Sequence, residues 1–335
     1  MSSSSAKPAA ASSTTMLDRI LSIEIVRVTE RAAVAAARLR GRGNEKEADQ
    51  AAVDAMRREM NKLPIEGTIV IGEGERDEAP MLFIGEKVGK GGHKLDIAVD
   101  PLEGTTLCAK NMPGAIATMA MAAGGTLLNA PDVYMEKIAI GPGYPKDVVD
   151  LDAPADQNIR ALAKAKGVKP EDITALILDR PRHADLVAAV RKAGASVRFI
   201  TDGDVAGVIH TADPDSTGID IYMGVGGAPE GVLAAAALAC IGGQIQGRLV
   251  LDTEEKRERA RKMGIKDPRK KYAMQDMVQG DCVFSATGVT TGSMLRGVRF
   301  RGGMIETETV VMRSATGTVR WIRGEHRQLD KFKPG

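Results

Sequence analysis

Apolar residues recur at helical spacing over residues 16–40, where Leu17, Leu21, Val28 and Ala32 form a stripe with Ile20 and Ile25 beside it. That spacing predicts a helix, ended by Gly41-Arg42-Gly43-Asn44. Residues 48–63 repeat the pattern with Ala52, Val53, Met56 and Met60. Asp49 falls in the first turn, where a carboxylate complements a helix N-terminus. The period then shortens to that of an extended chain. A strand is predicted over residues 67–71 and another over 94–99, where Leu95, Ile97 and Val99 alternate with Asp96 and Ala98. Residues 114–123 and 133–140 read as further buried strands. The second carries Tyr134, which suits a core position with a polar end and, as the alternative, a contact to a phosphate oxygen.

From residue 153 helix and strand alternate. Helices are predicted over 156–166, 184–193, 205–210 and 229–241, and strands over 173–178, 196–200 and 219–223. That rhythm predicts a mainly parallel sheet with helices packed on it. A segment over 244–252, a charged helix over 253–263 and strands over 283–286, 294–300 and 310–319 predict an antiparallel or mixed end region. The expected organisation is a disordered tail over residues 1–15, an α+β domain over 16–150 and an α/β domain over 151–335, within an α/β fold class.

Charged residues matter where they interrupt this pattern. The strand at 94–99 runs into Asp100-Pro101-Leu102-Glu103-Gly104-Thr105, so two carboxylates and a hydroxyl project from one tight turn. Carboxylates held that close repel unless a cation lies between them, and an all-oxygen set suits Mg²⁺ or Mn²⁺. The strand at 67–71 leads into Gly72-Glu73-Gly74-Glu75-Arg76-Asp77-Glu78, with Glu73 nearest the strand end as a metal ligand and Asp77 or Glu75 placed to handle a proton. So much negative charge excludes a pyrophosphate-binding glycine loop. Ligands of parallel sheets gather at strand carboxyl ends, and three stretches fall there. Arg180-Pro181-Arg182 offers guanidinium forks for phosphate oxygens. Asp202-Gly203-Asp204 is the second. The third is the glycine run 224–231, in which Pro229 suits the first helical position, Glu230 the first turn, and bare Gly226 and Gly227 a close approach to a ligand. Taken singly, each stretch also has an ordinary reading: an acidic cap, a solvated loop or a surface ion pair.

Composition removes several function classes. With 46 Lys+Arg against 44 Asp+Glu, the chain has no global attraction for nucleic acid or an anionic membrane. Aromatic residues at 3% leave no stacking platform for bases. Three cysteines without CxxC spacing suggest a reduced, cytosolic protein, and four scattered histidines argue against zinc. No apolar run is long enough and sufficiently free of charge to span a bilayer.

The stretches over 67–82 and 96–105, with Arg180-Pro181-Arg182-His183, Asp202-Gly203-Asp204 and Gly226-Gly227-Ala228-Pro229-Glu230-Gly231, together resemble the class II fructose-1,6-bisphosphatases of the GlpX type, in order over residues 16–323. The resemblance implies a layered αβαβα sugar-phosphatase fold shared with inositol-type phosphatases. It implies Mn²⁺ or Mg²⁺ held by Asp49, Glu73, Asp100, Glu103 and Glu230, which gives Asp49 a role its own spacing does not. Substrate contacts carry over to Glu103, Gly104, Thr105, Tyr134, Arg180, Pro181, Arg182, Asp202, Gly203, Asp204 and Gly227. Some relatives have Lys where this chain has Arg180. The expected reaction is hydrolysis of the 1-phosphate of fructose 1,6-bisphosphate, with sedoheptulose 1,7-bisphosphate a further substrate, in gluconeogenesis or the Calvin cycle. A cytoplasmic homotetramer is the expected state. In that reaction Thr105 would orient a water or pass its proton to Asp77 or Glu75, Arg180 and Arg182 would hold the distal phosphate, and Asp202 and Asp204 would accept sugar hydroxyls. Two competing readings remain: an inositol- or nucleotide-phosphate phosphatase with the same acidic turns, and a sugar-phosphate sensor that binds without turnover.

Overall fold

The computed structural model describes residues 21–74 and 81–333. The expected tail and the acidic residues Glu75 and Asp77 lie outside that range. Helices α1 (Leu21–Ala37) and α2 (Glu45–Met60) come first. The second begins earlier than its apolar pattern suggests because Asn44 caps it, the Asn44 side chain accepting from the Glu47 N–H at 3.1 Å. Asn44, expected to close the first helix, opens the second.

Two sheets follow. The first takes β1 (Ile65–Ile71), β2 (Lys87–Val88), β3 (His93–Glu103) and β4 (Ile116–Ala123). The second takes β5 (Tyr134–Ile140), β6 (Thr174–Leu178), β7 (Ser196–Ile200), β8 (Ile221–Gly227), β9 (Gln244–Leu249) and β10 (Tyr272–Ala273), in the order β10-β9-β5-β8-β6-β7. The chain then returns to the first sheet with β11 (Cys282–Gly288), β12 (Arg299–Arg301), β13 (Met304–Arg313) and β14 (Thr318–His326), giving β12-β13-β11-β4-β3-β1-β2 with β14 paired to β13. The sheets therefore do not divide at residue 150: β5 precedes that point and belongs to the second sheet, and the last four strands complete the first.

The second sheet departs from the expected parallel arrangement. Only β6 pairs in parallel with β7 and β8, while β5 runs antiparallel to both β8 and β9. The helices α4 (Ala155–Lys166), α5 (Ala184–Lys192) and α6 (Asp204–Ile209) serve the parallel part, after the short α3 (Thr105–Ala109) of the first half. After α7 (Pro214–Thr217), the helix α8 (Ala228–Ile241) follows β8 and leads to β9, which lies across β5. The strand expected over 310–319 is two strands, because the turn at Ser314–Thr316 and Gly317, with φ +54°, folds it into a hairpin.

Three apolar clusters define five layers. One joins α1 and α2 to the outer face of the first sheet, with Ile25, Val53, Ile97 and Met119. The next packs α8 between the sheets, with Ala98, Ala120, Met135, Tyr222 and Leu233. The third joins α4 and α5 to the far face of the second sheet, with Ile159, Val190 and Ile177. The order helix, sheet, helix, sheet, helix is the expected αβαβα architecture. Helix α8 is apolar around its circumference because both of its sides face a sheet.

Candidate active site

Period-2 alternation decides where Asp100 points. Leu95, Ile97 and Val99 join the outer cluster, whereas Ala98 joins the inner one, and Asp100 shares the parity of Ala98. Pro101 does not end the strand as expected. Pairing with β4 runs on to Glu103 through a register shift between Asp100 and Glu103. Such a bulge re-aims side chains, and here it brings both acids to one side. Gly104, at φ +84°, then turns the backbone into α3. A matching irregularity between Ile69 and Ile71 moves Ile71 into the inner cluster and carries the chain toward Glu73.

One cavity of about 290 Å³ collects the result. It is lined by Asp49, Glu73, Asp100, Glu103, Thr105 and Glu230, together with Asp132 and Asp202. All five acids expected to hold metal are therefore brought to one place from α2, the β1 and β3 turns and α8. Oxygens of Asp100, Glu103 and Glu230 lie within 4.8 Å of one another. Glu103 Oε1 accepts from the Val205 N–H at 2.9 Å, which ties the first half of the chain to the start of α6.

Electrostatics show what the cluster lacks. Burial, then the charges of Asp49, Asp132 and Glu230, push Glu73 up to about 8. Burial raises Asp49 to about 6, opposed by a hydrogen bond from Glu73. Burial and then Asp204 raise Glu230 to about 7, with Lys137 opposing. Asp100 and Glu103 are pushed well above the carboxylate range, burial being the main cause, and share a hydrogen bond. These upward shifts mark a concentration of negative charge that a cation would neutralise. Glu230 Oε2 is buried with no hydrogen-bond partner. An orphaned carboxylate oxygen beside oxygen-only neighbours fits a hard divalent ion.

The remaining expected residues surround this cavity without all lining it. Arg182 donates from Nε and Nη2 to the Val225 carbonyl and stacks 4.7 Å over the Tyr134 ring. Tyr134 is 49% exposed, so it is a rim residue and not the core residue its pattern suggested. Arg180 lies close enough to Asp202 to oppose, with its charge, the upward shift that burial imposes on that acid. His183, unassigned from the sequence, pins this loop: Nδ1 meets the Leu178 carbonyl at 2.7 Å and Nε2 accepts from the Val225 N–H at 2.8 Å. Gly203, at φ +84°, caps α6. Asp204 is buried and its Oδ2 is bound by Lys137 and by the Tyr222 hydroxyl, so that oxygen is already engaged inside the protein. Gly226 and Gly227 clear space for the chain's own carboxylates: a Cβ at Gly226 would fall on Asp204 Oδ2, and one at Gly227 on Glu230 Oε2. Asp132 and Lys137 are the residues here that no motif in the sequence marks. The signal for Lys137 was a lone cation in an apolar strand, on the inward parity of Met135 and Ala139.

Comparison with known proteins decides the family. The model of the bacterial, glpX-encoded fructose-1,6-bisphosphatases matches residues 19–326. The chain belongs to this family. It is 44% identical over 336 residues to the D-fructose 1,6-bisphosphatase class 2/sedoheptulose 1,7-bisphosphatase of Synechococcus sp. (strain JA-3-3Ab), covering 92% of this chain and 96% of that protein. It is 45% identical over 331 residues to the fructose-1,6-bisphosphatase 1 class 2 of Escherichia coli (strain K12), covering 94% and 97%. Among solved structures, the inositol monophosphatase from Anabaena overlaps 58% of this chain and 71% of its own at 13% identity and a TM-score of 0.31. Among the described residues, no helix of this fructose-1,6-bisphosphatase family member is long and apolar enough to cross a membrane.

Proposed function

We propose that this chain hydrolyses the 1-phosphate of fructose 1,6-bisphosphate to fructose 6-phosphate and inorganic phosphate, with Mn²⁺ or Mg²⁺ held by Asp100, Glu103 and Glu230 and with Asp49 and Glu73 beside them. The observation that carries the reading is the convergence of those three carboxylates within 4.8 Å around a buried, partnerless Glu230 oxygen. A divalent ion bound there supplies charge neutralisation for the phosphoryl oxygens and activation of the attacking water.

The chain's own residues do the rest. Thr105 lines the cavity one residue beyond Gly104, where its hydroxyl orients the water for in-line attack. Asp77 or Glu75, outside the described residues, would take the proton. Arg182, backed by Tyr134 and fixed on the Val225 carbonyl, holds the distal phosphate with Arg180. Asp202, which lines the cavity, accepts a sugar hydroxyl. Asp204 contributes less to the sugar than expected because one of its oxygens is engaged internally. Binding energy from the unreacting phosphate then holds the reacting end in register.

The Synechococcus relative, named as both a fructose 1,6- and a sedoheptulose 1,7-bisphosphatase, supports a second substrate, sedoheptulose 1,7-bisphosphate, at the same site. The deciding assay is phosphate release from each bisphosphate with Mn²⁺ and with a chelator. Metal-dependent release is expected. A folded protein that releases nothing from either bisphosphate at saturating Mn²⁺ would contradict the proposal.

A further inference from the structure

A lysine sits inside the acid-rich middle layer. Lys137 lies mid-strand in β5 and is 2% exposed. Its Nζ donates to Asp204 Oδ2 at 2.5 Å and to the Gly227 carbonyl at 2.8 Å. The two acceptors belong to different helices: Asp204 is the first residue of α6 and Gly227 is the N-cap of α8. Each helix start presents part of the acidic cavity. Val205, next to Asp204, binds Glu103 Oε1 through its N–H, and the first turn of α8 carries Glu230. The surroundings are shaped for the ammonium. A Cβ at Gly226 would approach Lys137 Nζ to 3.0 Å, and one at Gly231 would approach its Cδ to 3.3 Å.

Burying an ammonium carries a desolvation cost, and well-packed apolar side chains of the same volume often serve stability as well as a buried ion pair does. The bridge between the helix starts gives the charge a use. Resting on the metal reading above, we propose that Lys137 is a positioning residue: it fastens the start of α6 to the start of α8, and so presents Glu103 and Glu230 as one ligand set for a divalent cation. It touches neither the ion nor the substrate.

The experiment measures Mn²⁺ affinity by titration calorimetry on the full chain, with circular dichroism confirming the fold. The variants are Lys137→Met, Tyr222→Phe and the double variant Lys137→Met/Asp204→Asn. The double variant leaves no buried charge unpaired and keeps the net charge unchanged, so it tests the bridge even if Lys137→Met does not fold. Tyr222→Phe removes a donor to the same Asp204 oxygen and leaves the Lys137 bridge between the helix starts in place. Expected are affinity within threefold of the parent for Tyr222→Phe and at least tenfold weaker binding for the double variant. A folded double variant within threefold of the parent would make Lys137 a mere counter-ion and overturn the proposal. A parent that binds no Mn²⁺ would overturn the metal reading itself, and this proposal with it.

Discussion

Glu103 Oε1 accepts the backbone N–H of Val205 at 2.9 Å, across 102 residues of chain. One carboxylate thus serves two purposes, with one oxygen joining the turn after β3 to α6 and the other left for the cavity. The two purposes separate by substitution. Glu103→Gln keeps a carbonyl oxygen for Val205, so its melting temperature should stay close to that of the parent while Mn²⁺ binding falls steeply. Glu103→Ala leaves a buried N–H unpaired and should cost about 1–3 kcal/mol of stability as well. Equal stability of the two variants, by denaturant titration, would contradict the double role.

Gly227 lies at φ −67°, a conformation open to alanine, so its requirement is for space. A Cβ there would displace the Glu230 carboxylate. Gly227→Ala should therefore remain folded but lose at least about tenfold in kcat at fixed Mn²⁺, partly recovered at higher metal concentration. Full activity in Gly227→Ala would place Glu230 outside the metal set.

Burial raises Asp49 to about 6, burial and then the Asp204 charge raise Glu230 to about 7, and burial and then the charges of Asp49, Asp132 and Glu230 raise Glu73 to about 8. Each group binds its proton more tightly when folded than when unfolded. The stabilisation is therefore fully present below the ordinary carboxylate range and is lost as pH climbs through those raised values. In chelator, Tm should fall between pH 5 and about 8.5 by the contribution of these groups. Mn²⁺ binds the ionised forms, so its stabilising effect should grow over the same interval, with protons released on binding. Scanning calorimetry with and without metal reads both trends. A metal-induced rise in Tm that shrinks with pH would contradict the assignment.

Arg182 is held by the Val225 carbonyl and the Tyr134 ring, away from the acidic cavity. Arg182→Ala should raise KM for fructose 1,6-bisphosphate about tenfold or more and lower kcat less. A fall in kcat with KM unchanged would move this arginine to the reacting phosphate.

The alternation of Leu95, Ile97 and Val99 made Asp100 legible, because parity alone sends it to the inner face. The helix–strand rhythm after residue 153 located the Arg180, Asp202 and Glu230 stretches at strand ends that do meet. Strand direction was not legible. β5 runs antiparallel to β8, so its beginning arrives where β8 ends, with Tyr134 opposite Gly227. Asp132 therefore reaches the site from just before a strand, and Lys137 approaches it from that strand's middle, positions that a search of strand ends passes over. The return of residues 282–326 to the first sheet was equally hidden, since pairing with β4 depends on contacts more than 150 residues apart. The glycine run has a second use that its spacing does not show: its missing side chains admit Asp204 and Glu230 from within the protein.

The central claim is that Asp100, Glu103 and Glu230 hold a divalent cation between them. Anomalous diffraction at the manganese edge from crystals grown with Mn²⁺ tests it directly. A peak bonded to oxygens of all three residues is predicted. An ordered cavity with no peak, in protein that still releases phosphate from fructose 1,6-bisphosphate, would contradict it.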